Sequence, residues 1–326
     1  MATYSGKQFE AYVGIATQNI GSEVVAGTLY KMRMPSVNDI DFSGGVQLED
    51  VERTGQRVLR PTDHIAVRGG GTYSWSFSDY VVESEAMLQL LLQLVTEDTS
   101  PSVSASMTGN QATVAYAEGA ATGEYANIVI SSPDTDKDRL MHSAILQDLT
   151  LSLDPSAHGG RLTASGTFWS GFQPDIDTEA SSANATAVDY TKGFFDCTTQ
   201  TLATNAVYMN KFDITISNPA TRAGFKTVNS NAGEPESYNR GGQISVTGNV
   251  GVKMDDNSVT MVDNFLAGTS TNISIGDGST IDFDIPTAKI SGHELDLGNE
   301  SGAFINLPFL GTADGSGVLV TIIGTT

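Results

Sequence analysis

The stretch Arg68-Gly69-Gly70-Gly71-Thr72-Tyr73-Ser74-Trp75-Ser76-Phe77 decides the fold, because a glycine-rich turn leads into a run that alternates aromatic residues with serine. Alternation with a period of two is typical of a strand with one packed face and one solvated face. Downstream of this run, apolar residues at helical spacing predict an amphipathic helix. These residues are Leu88, Leu90, Leu91, Leu94 and Val95.

The same pattern recurs 171 residues later. Arg240-Gly241-Gly242 leads into the alternating run Ile244-Ser245-Val246-Thr247, and five apolar residues again follow at helical spacing. Upstream of the strand, residues 38–42 resemble residues 210–214, at a spacing of 172 residues instead of 171. A repeat of this length predicts a duplicated domain, and two similar domains in one chain can supply two positions of a closed ring. The five apolar residues of the second copy are Val259, Met261, Val262, Phe265 and Leu266.

Length and composition predict a two-domain, mainly β chain of the β-rich α+β class. The 326 residues are rich in glycine, serine, threonine and β-branched residues, and helical periodicity occurs at only two places. We predict a first domain over residues 1–173, with an insertion at about 117–141 that is rich in Ala, Gly, Asp and Ser. The apolar-poor segment 174–187 is the predicted linker, and the second domain spans 188–326.

The charge balance is strongly acidic, with 38 Asp and Glu against 17 Lys and Arg and a net charge of −21. A protein that grips nucleic acid needs Lys and Arg against the phosphates, so this balance disfavours that class. It is compatible with a surface along which DNA passes without sticking. Solubility, or adaptation to salty surroundings, explains the same charge, and composition alone favours this second explanation.

Basic residues are concentrated in two long connections, at about 45–68 and 218–240, which precede the two Arg-Gly-Gly strands. Long connections without secondary structure are uncommon in compact domains and are often functional. We therefore predict that they contact an acidic partner surface; local pairing with acidic neighbours such as Glu49 and Asp63 is the alternative. The basic residues are Arg53, Arg57, Arg60 and Arg68 in the first connection, and Arg222, Lys226 and Arg240 in the second.

The sequence contains no recognisable catalytic, cofactor-binding or metal-binding pattern, so we predict neither an enzyme nor a cofactor. The four histidines lie neither at metal-ligand spacing nor in a nucleophile motif. Cys197 has no neighbouring base and is predicted to be a small buried hydrophobe. No apolar run approaches 18 residues, and the first residues lack a charged region followed by an apolar one, so we expect synthesis in a cytoplasm.

Several motifs follow one another in order along the first copy. Gly6-Lys7-Gln8 comes first, and residues 30–42 lead into the Arg-Thr-Gly-Gln-Arg loop at 53–57. The helix follows, and then Leu149-Thr150-Leu151-Ser152-Leu153 precedes the glycine-led run 160–168. In this order the motifs resemble the tail tube (major tail) proteins of long-tailed bacteriophages. The resemblance covers most of the first copy and, more weakly, the second.

This resemblance implies two similar β-sandwich or half-barrel domains, each with one flanking helix and a long loop that contacts the next ring. The seven basic residues of the two connections are then candidate inter-ring contacts. Such proteins form hexameric rings stacked around a DNA channel, and a duplicated member would form trimeric, pseudo-sixfold rings. With this chain's acidity, the channel would be acidic and carry few lysines or arginines.

The resemblance also implies the partners and the location. The partners are further copies of the chain, a tape measure protein, a tail terminator and baseplate or tip proteins. Phage double-stranded DNA would pass through the lumen without specific binding, no membrane would be involved, and the location would be the virion tail, after synthesis in the cytoplasm of a bacterial host.

Two other classes remain open from the sequence. One is a different self-assembling virion or surface β-module, such as a capsid decoration or surface-layer protein; assembly into sheets rather than tubes would indicate it. The other is a carbohydrate-active β-sandwich enzyme, which a saccharide-dependent shift in melting temperature would indicate.

Overall fold

The computed structural model describes residues 9–15, 20–21, 28–33, 39–41, 46–50, 64–68, 71–96, 111–115, 125–133, 137–177, 183–185, 188–226, 233–240, 243–296 and 302–324. This part of the chain is mainly β and largely antiparallel, as predicted, with 22 strands and two α-helices. Up to residue 185 the elements are β1 (Glu10–Ile15), β2 (Thr28–Met32), β3 (Val46–Asp50), β4 (His64–Arg68), β5 (Tyr73–Val81), α1 (Glu85–Thr96), β6 (Gln111–Ala115), β7 (Ala126–Ser131), β8 (Asp138–Leu153), β9 (Thr163–Ser170), β10 (Asp175–Asp177) and β11 (Ala183–Ala185).

The remaining elements belong to the second copy of the repeat. They are β12 (Thr199–Leu202), β13 (Asn205–Ala206), β14 (Met209–Ser217), β15 (Thr221–Phe225), β16 (Pro235–Asn239), β17 (Ser245–Lys253), α2 (Asp256–Ala267), β18 (Thr271–Gly276), β19 (Ile281–Ile290), β20 (Glu294–Asp296), β21 (Phe304–Gly311) and β22 (Val318–Gly324). Both helices have 12 residues and their first residues are 171 apart, which is the spacing of the sequence repeat.

One antiparallel sheet, which we call the main sheet, runs through both copies in the order β5–β9–β8–β14–β17–β21–β20. Segment 39–41 lies beside β5, where the Asp41 N–H donates to the Ser74 carbonyl oxygen at 3.0 Å. The sheet therefore contains the same succession twice: segment 39–41, β5, β9 and β8, and then β14, β17, β21 and β20. The β8–β14 pair, which we call the junction, joins the two successions.

A phenylalanine packs on a glycine at the same place in both copies. Phe77 on β5 is opposite Gly166 on β9, and Gly248 on β17 is opposite Phe309 on β21. A Cβ on Gly166 would lie 2.9 Å from Cζ of Phe77, and one on Gly248 would lie 2.5 Å from Cζ of Phe309. Each glycine thus leaves room for an aromatic ring. The shared arrangement supports the predicted duplication. The phenylalanine is on β5 and the glycine on β9 in the first copy, whereas the glycine is on β17 and the phenylalanine on β21 in the second copy.

The connections before the two Arg-Gly-Gly strands contain β-hairpins. β3 pairs with β4, and β15 pairs with β16, each in an antiparallel two-stranded sheet that we call an arm. The expectation that these connections lack secondary structure is therefore wrong. Pairing satisfies backbone groups that a long irregular connection would have to leave to solvent.

Two segments differ from their sequence-based description. The predicted linker at 174–187 includes β10 and β11, which pair with β8 and β2 and so lie against the first copy. The predicted insertion at 117–141 includes β7 and the start of β8, which form a hairpin like β18–β19. The extra length of the first copy lies instead between α1 and β7. Residues 97–125 separate these two elements, whereas only residues 268–270 separate α2 from β18 in the second copy. The domain boundaries themselves stay a prediction.

The apolar face of the main sheet forms a core that continues through both copies. Phe212, beside the junction, is fully buried, with its ring 5.3 Å from the Phe283 ring and 6.3 Å from the Phe309 ring. In the first copy, Trp75 and Phe168 are in similar contact at 5.6 Å. A second layer of strands, including β7, β18, β19 and β22, and helix α1 cover this face.

Candidate functional site

The other side of the main sheet carries mainly short polar side chains, and we call it the polar face. Residues on it alternate along each strand with the core residues, and most are half-buried or exposed. Ile145 and Trp169 lie on the same side but are buried, in a cluster with Tyr238 of the second arm. At the junction the Thr150 and Thr215 hydroxyl oxygens are 2.7 Å apart, so the polar face continues across the two copies. Its half-buried and exposed residues include Ser74, Ser76, Ser78, Asp148, Thr150, Ser152, Ser165, Thr167, Lys211, Asp213, Thr215, Ser217, Ser245, Thr247, Asn249, Lys253, Glu294, Asp296, Phe304, Asn306, Pro308 and Leu310.

Charges are few on the polar face, and its lysine at the junction is balanced locally. Nζ of Lys211 lies 3.7 Å from Oδ2 of Asp213. Burial raises the pKa of Asp213, although the charge of Lys211 opposes that shift. Burial also raises the pKa of Asp154, but hydrogen bonds from Ser156 and the charge of Lys211 together bring it below its ordinary value. Lys211 therefore lies between two carboxylates.

A separate acidic group lies on β19, on the side of the strand opposite Phe283. Burial raises the pKa of Asp282 to about 6, and repulsion from Asp284 adds to this shift. Burial likewise raises the pKa of Asp284. Two half-buried carboxylates therefore stand two residues apart on one strand face, and their charged forms cost stability at neutral pH.

We expect Asp282→Asn to stabilise the unassembled protein at pH 7 and not at pH 4. The pKa of this carboxyl is raised from 3.8 to about 6, so the folded state binds its proton more tightly than the unfolded state does. The ionised carboxylate therefore destabilises the folded state at pH 7, and this destabilisation disappears as the pH falls through 6 to 4. Because the group is only half-buried, solvent screening reduces the gain to about 1 kcal/mol. Urea unfolding at both pH values measures it, with exposed Asp263→Asn as the control. An equal gain at both pH values would contradict this account.

The second arm packs against the first copy of the same chain. The Tyr238 hydroxyl oxygen accepts a hydrogen bond from the Gly171 N–H at 2.8 Å, and the Tyr238 ring lies 5.0 Å from the Trp169 ring, edge-on. Arg222 donates to the Gly71 carbonyl oxygen and the Thr72 hydroxyl. These contacts hold the arm on the neighbouring copy, next to the ends of β5 and β9.

Lys226 contacts both its own arm and the first copy. Its Nζ lies 3.7 Å from Oε2 of Glu234 and 5.4 Å from the centroid of the Phe172 ring. The first contact is an ion pair and the second has cation–π geometry.

Arg240 and Asn218 of the second copy cap the C-terminal end of α1. The Arg240 guanidinium donates to the carbonyl oxygens of Leu94 at 3.0 Å, Val95 at 3.4 Å and Asn218 at 3.2 Å. The buried Asn218 side chain donates to the Val95 carbonyl oxygen at 2.9 Å. The last carbonyls of a helix lack partners within it and carry partial negative charge, so a cation there is favourable. These two residues therefore fasten one copy to the other.

The seven basic residues predicted as inter-ring contacts fall into three groups. Arg53, Arg57 and Arg60 lie outside the described residues, and Arg68 is described only as the last backbone position of β4. The remaining three, Arg222, Lys226 and Arg240, contact the first copy within one chain. Contact between rings stays a prediction for the set. Sequence reasoning missed Asn218 and Tyr238, because neither has a local signal for a contact so distant in the chain.

We expect Arg240→Met to lower the free energy of unfolding by about 2 kcal/mol, because it keeps the aliphatic stem and removes charged hydrogen bonds to the end of α1. Urea unfolding of the unassembled protein measures the loss. Lys289→Met, which replaces an exposed lysine on β19, is the control and should change stability by less than about 0.5 kcal/mol. Equal effects of the two substitutions would show that Arg240 does not fasten the copies.

Nothing in the described part of the chain is arranged for metal chemistry, since no group of three or more His, Cys, Asp or Glu residues there is placed to hold a metal ion. Cys197 is buried, and burial raises its pKa to about 12, so the thiol stays protonated. Among the described helices, neither is long and apolar enough to cross a membrane.

A sequence profile described as phage tail tube protein matches residues 18–311, and the chain belongs to this family. It is therefore a structural protein of the virion tail that self-assembles into a tube and associates with other tail proteins. Comparison with curated proteins gives no match.

Proposed function

We propose that three chains form one ring with six similar positions, that the rings stack into the tail tube, and that the polar face lines the channel for the genome. The observation that carries this proposal is the main sheet. Its two equal successions of strands are joined at β8–β14 without interruption, so each chain supplies two consecutive segments of a larger sheet. Three such chains supply six segments.

The covering of the main sheet supports the choice of the lining face. Its apolar side is covered by α1 and by the second layer of strands, while most of the polar face has no layer over it in the described part of the chain. A ring that keeps its covering layers outside turns the polar face toward the channel. Serine, threonine and asparagine there are uncharged and offer phosphates no fixed cation.

The charges of this face fit a channel through which DNA slides. Together with Asp79 and Asp154 at its ends and Glu294 and Asp296 on β20, the polar face carries six carboxylates against Lys211 and Lys253. Charges influence DNA over about 8–10 Å at physiological salt, so a modest excess of carboxylates close to the lumen is sufficient to repel phosphates. The proposed channel is therefore mildly acidic and hydroxyl-rich, and it binds double-stranded DNA at no specific site.

The same proposal assigns the partners and excludes catalysis. The proposed partners in the tail are a tape measure protein, a tail terminator and baseplate or tip proteins. The chain acts as a structural component and not as an enzyme, after synthesis in the bacterial host cytoplasm. We further propose that Arg53, Arg57 and Arg60, which lie between β3 and β4 in the sequence, contact the next ring, where many weak ion pairs add through multivalency.

Electron microscopy and mass measurement of the purified, assembled protein test this function. We expect tubes made of rings whose mass is three times the 34.3 kDa of one chain, with six similar lobes in averaged end views. Rings of six chains would contradict the stoichiometry. Flat sheets without tubes would indicate a surface-layer type of module instead.

A further inference from the structure

Helices α1 and α2 occupy corresponding places in the two copies, yet their burial differs. Leu88 and Val95 on α1 are 1% and 0% exposed. The residues 171 positions later, Val259 and Leu266 on α2, are 43% and 72% exposed. Apolar stripes at this spacing normally dock on a core, and Val259 and Leu266 depart from that expectation.

The second copy supplies the cover of α1. The backbone of Gly324, at the end of β22, packs directly on the Leu88 side chain. At the other end of the helix, Asn218 and Arg240 bind the carbonyl oxygen of Val95. The described part of the chain offers α2 no third copy to do the same, which is why its corresponding residues are exposed.

The edge of the main sheet shows the same difference. When Gly166 and Phe309 are matched, Leu153 on β8 corresponds to Leu295 on β20, because Leu295 is opposite Ile305 on β21 and Ser152, the residue before Leu153, is opposite Thr163 on β9. Leu153 is 0% exposed, because β14 pairs with β8 at the junction and places Phe212 opposite it. Leu295 is 46% exposed, and among the described strands β21 alone pairs with β20.

We propose that α2 and β20 of one chain dock on the first copy of the repeat in a neighbouring, second chain. This contact would resemble the one that α1 and β8 make with the second copy of the repeat within a single chain. Segment 39–41 of the second chain takes the place of β14 beside β20. Arg68 precedes a run of glycines in the sequence, as Arg240 does, and is the residue expected to donate to the last carbonyls of α2. This contact specifies how neighbouring chains meet in the proposed ring, and it rests on the proposed function.

A further copy of this chain is the occupant that fits, because the contact continues an interface already present at the junction. Segment 39–41 lies beside β5 as β14 lies beside β17, and its Ile40 is buried as the core residues of β14 are. The two surfaces lie on different parts of the molecule, so the contact is head-to-tail. A head-to-tail contact repeats from chain to chain and closes into a ring when the rotation allows.

Two variants, each blocking one of the two surfaces, test the proposal. Leu266→Glu places a charge in the docked surface of α2, and its side chain is exposed enough for the monomer to fold. Arg68→Glu replaces the proposed cap by an anion that the helix end repels. Val188→Glu, at an exposed valine outside both surfaces, is the matched control. Thermal unfolding confirms that all three variants are folded.

At a concentration where the wild type assembles, we expect each blocking variant alone to stay at the mass of one chain, while the control assembles. An equimolar mixture should form a species of twice the chain mass and stop there, because each variant retains the surface that the other has lost. Ring formation by either variant alone, or the absence of the mixed dimer, overturns this interface. If the wild type itself forms no rings, it is the proposed function that fails.

Discussion

Replacing Phe212 with alanine is expected to lower the free energy of unfolding of the unassembled protein by about 3–5 kcal/mol. The Phe212 side chain is fully buried on β14, opposite Leu153 of β8, and its ring contacts those of Phe283 and Phe309. Alanine at this position removes the contacts of the ring and leaves a cavity at the place where the two copies share one core. Urea unfolding gives the loss directly.

The control for this prediction is Phe225→Ala on the second arm, where the ring is 55% exposed. We expect a change within about 0.5 kcal/mol, as for most exposed positions. If Phe212→Ala costs no more than this control, the core does not continue through the junction, and the description of the two copies as one packed unit is wrong.

Phages that carry Thr247→Lys are expected to eject their DNA about tenfold more slowly at low salt, or to lose infectivity to a similar degree. Thr247 lies exposed on the polar face, on β17, away from the balanced Lys211. In the proposed ring of three chains the substitution adds three cations, and the proposed stacking repeats them along the channel. Every lysine that contacts a phosphate releases a counterion, so the retarding effect should weaken as salt rises.

Thr247→Gln is the matched control, because glutamine adds length to the side chain without charge. Phages with this change should eject DNA at nearly the wild-type rate at every salt concentration. Equal behaviour of the lysine and glutamine variants would mean that position 247 does not face the DNA, and the assignment of the polar face to the channel would be wrong.

Alternation of apolar and polar residues predicts the strands of the main sheet well. The runs around Trp75, Leu151, Phe168, Ile214 and Val250 are strands in the structure, because each packs one face on a core and leaves the other polar. The repeat spacing also predicts both helices at the observed positions.

Alternation fails for the second arm, and for a physical reason. Strands β15 and β16 form a two-stranded sheet in which most side chains are exposed or half-buried, so no apolar period marks them. Proline and glycine in the same segment are typical of irregular connections, which makes the hairpin harder to recognise.

The sequence also misleads where the partner of a residue is distant in the chain, or where similar stripes have different surroundings. The concentration of basic residues in the arms predicts an acidic partner surface, yet Arg240 binds helix carbonyls that are 145 residues away in the same chain. The stripes of α1 and α2 have the same spacing, and only the structure shows that Leu266 lies exposed where Val95 is buried.

A cryo-electron microscopy reconstruction of the assembled tube tests the central claim most directly. The claim is that one chain fills two consecutive positions of a ring whose inner wall is the polar face of the main sheet. The account predicts three chains per ring, Thr150, Thr215 and Thr247 pointing into the channel, and Leu266 of each chain buried by the next. Six chains per ring, or a channel lined by another surface while the polar face lies on the outside, would contradict it.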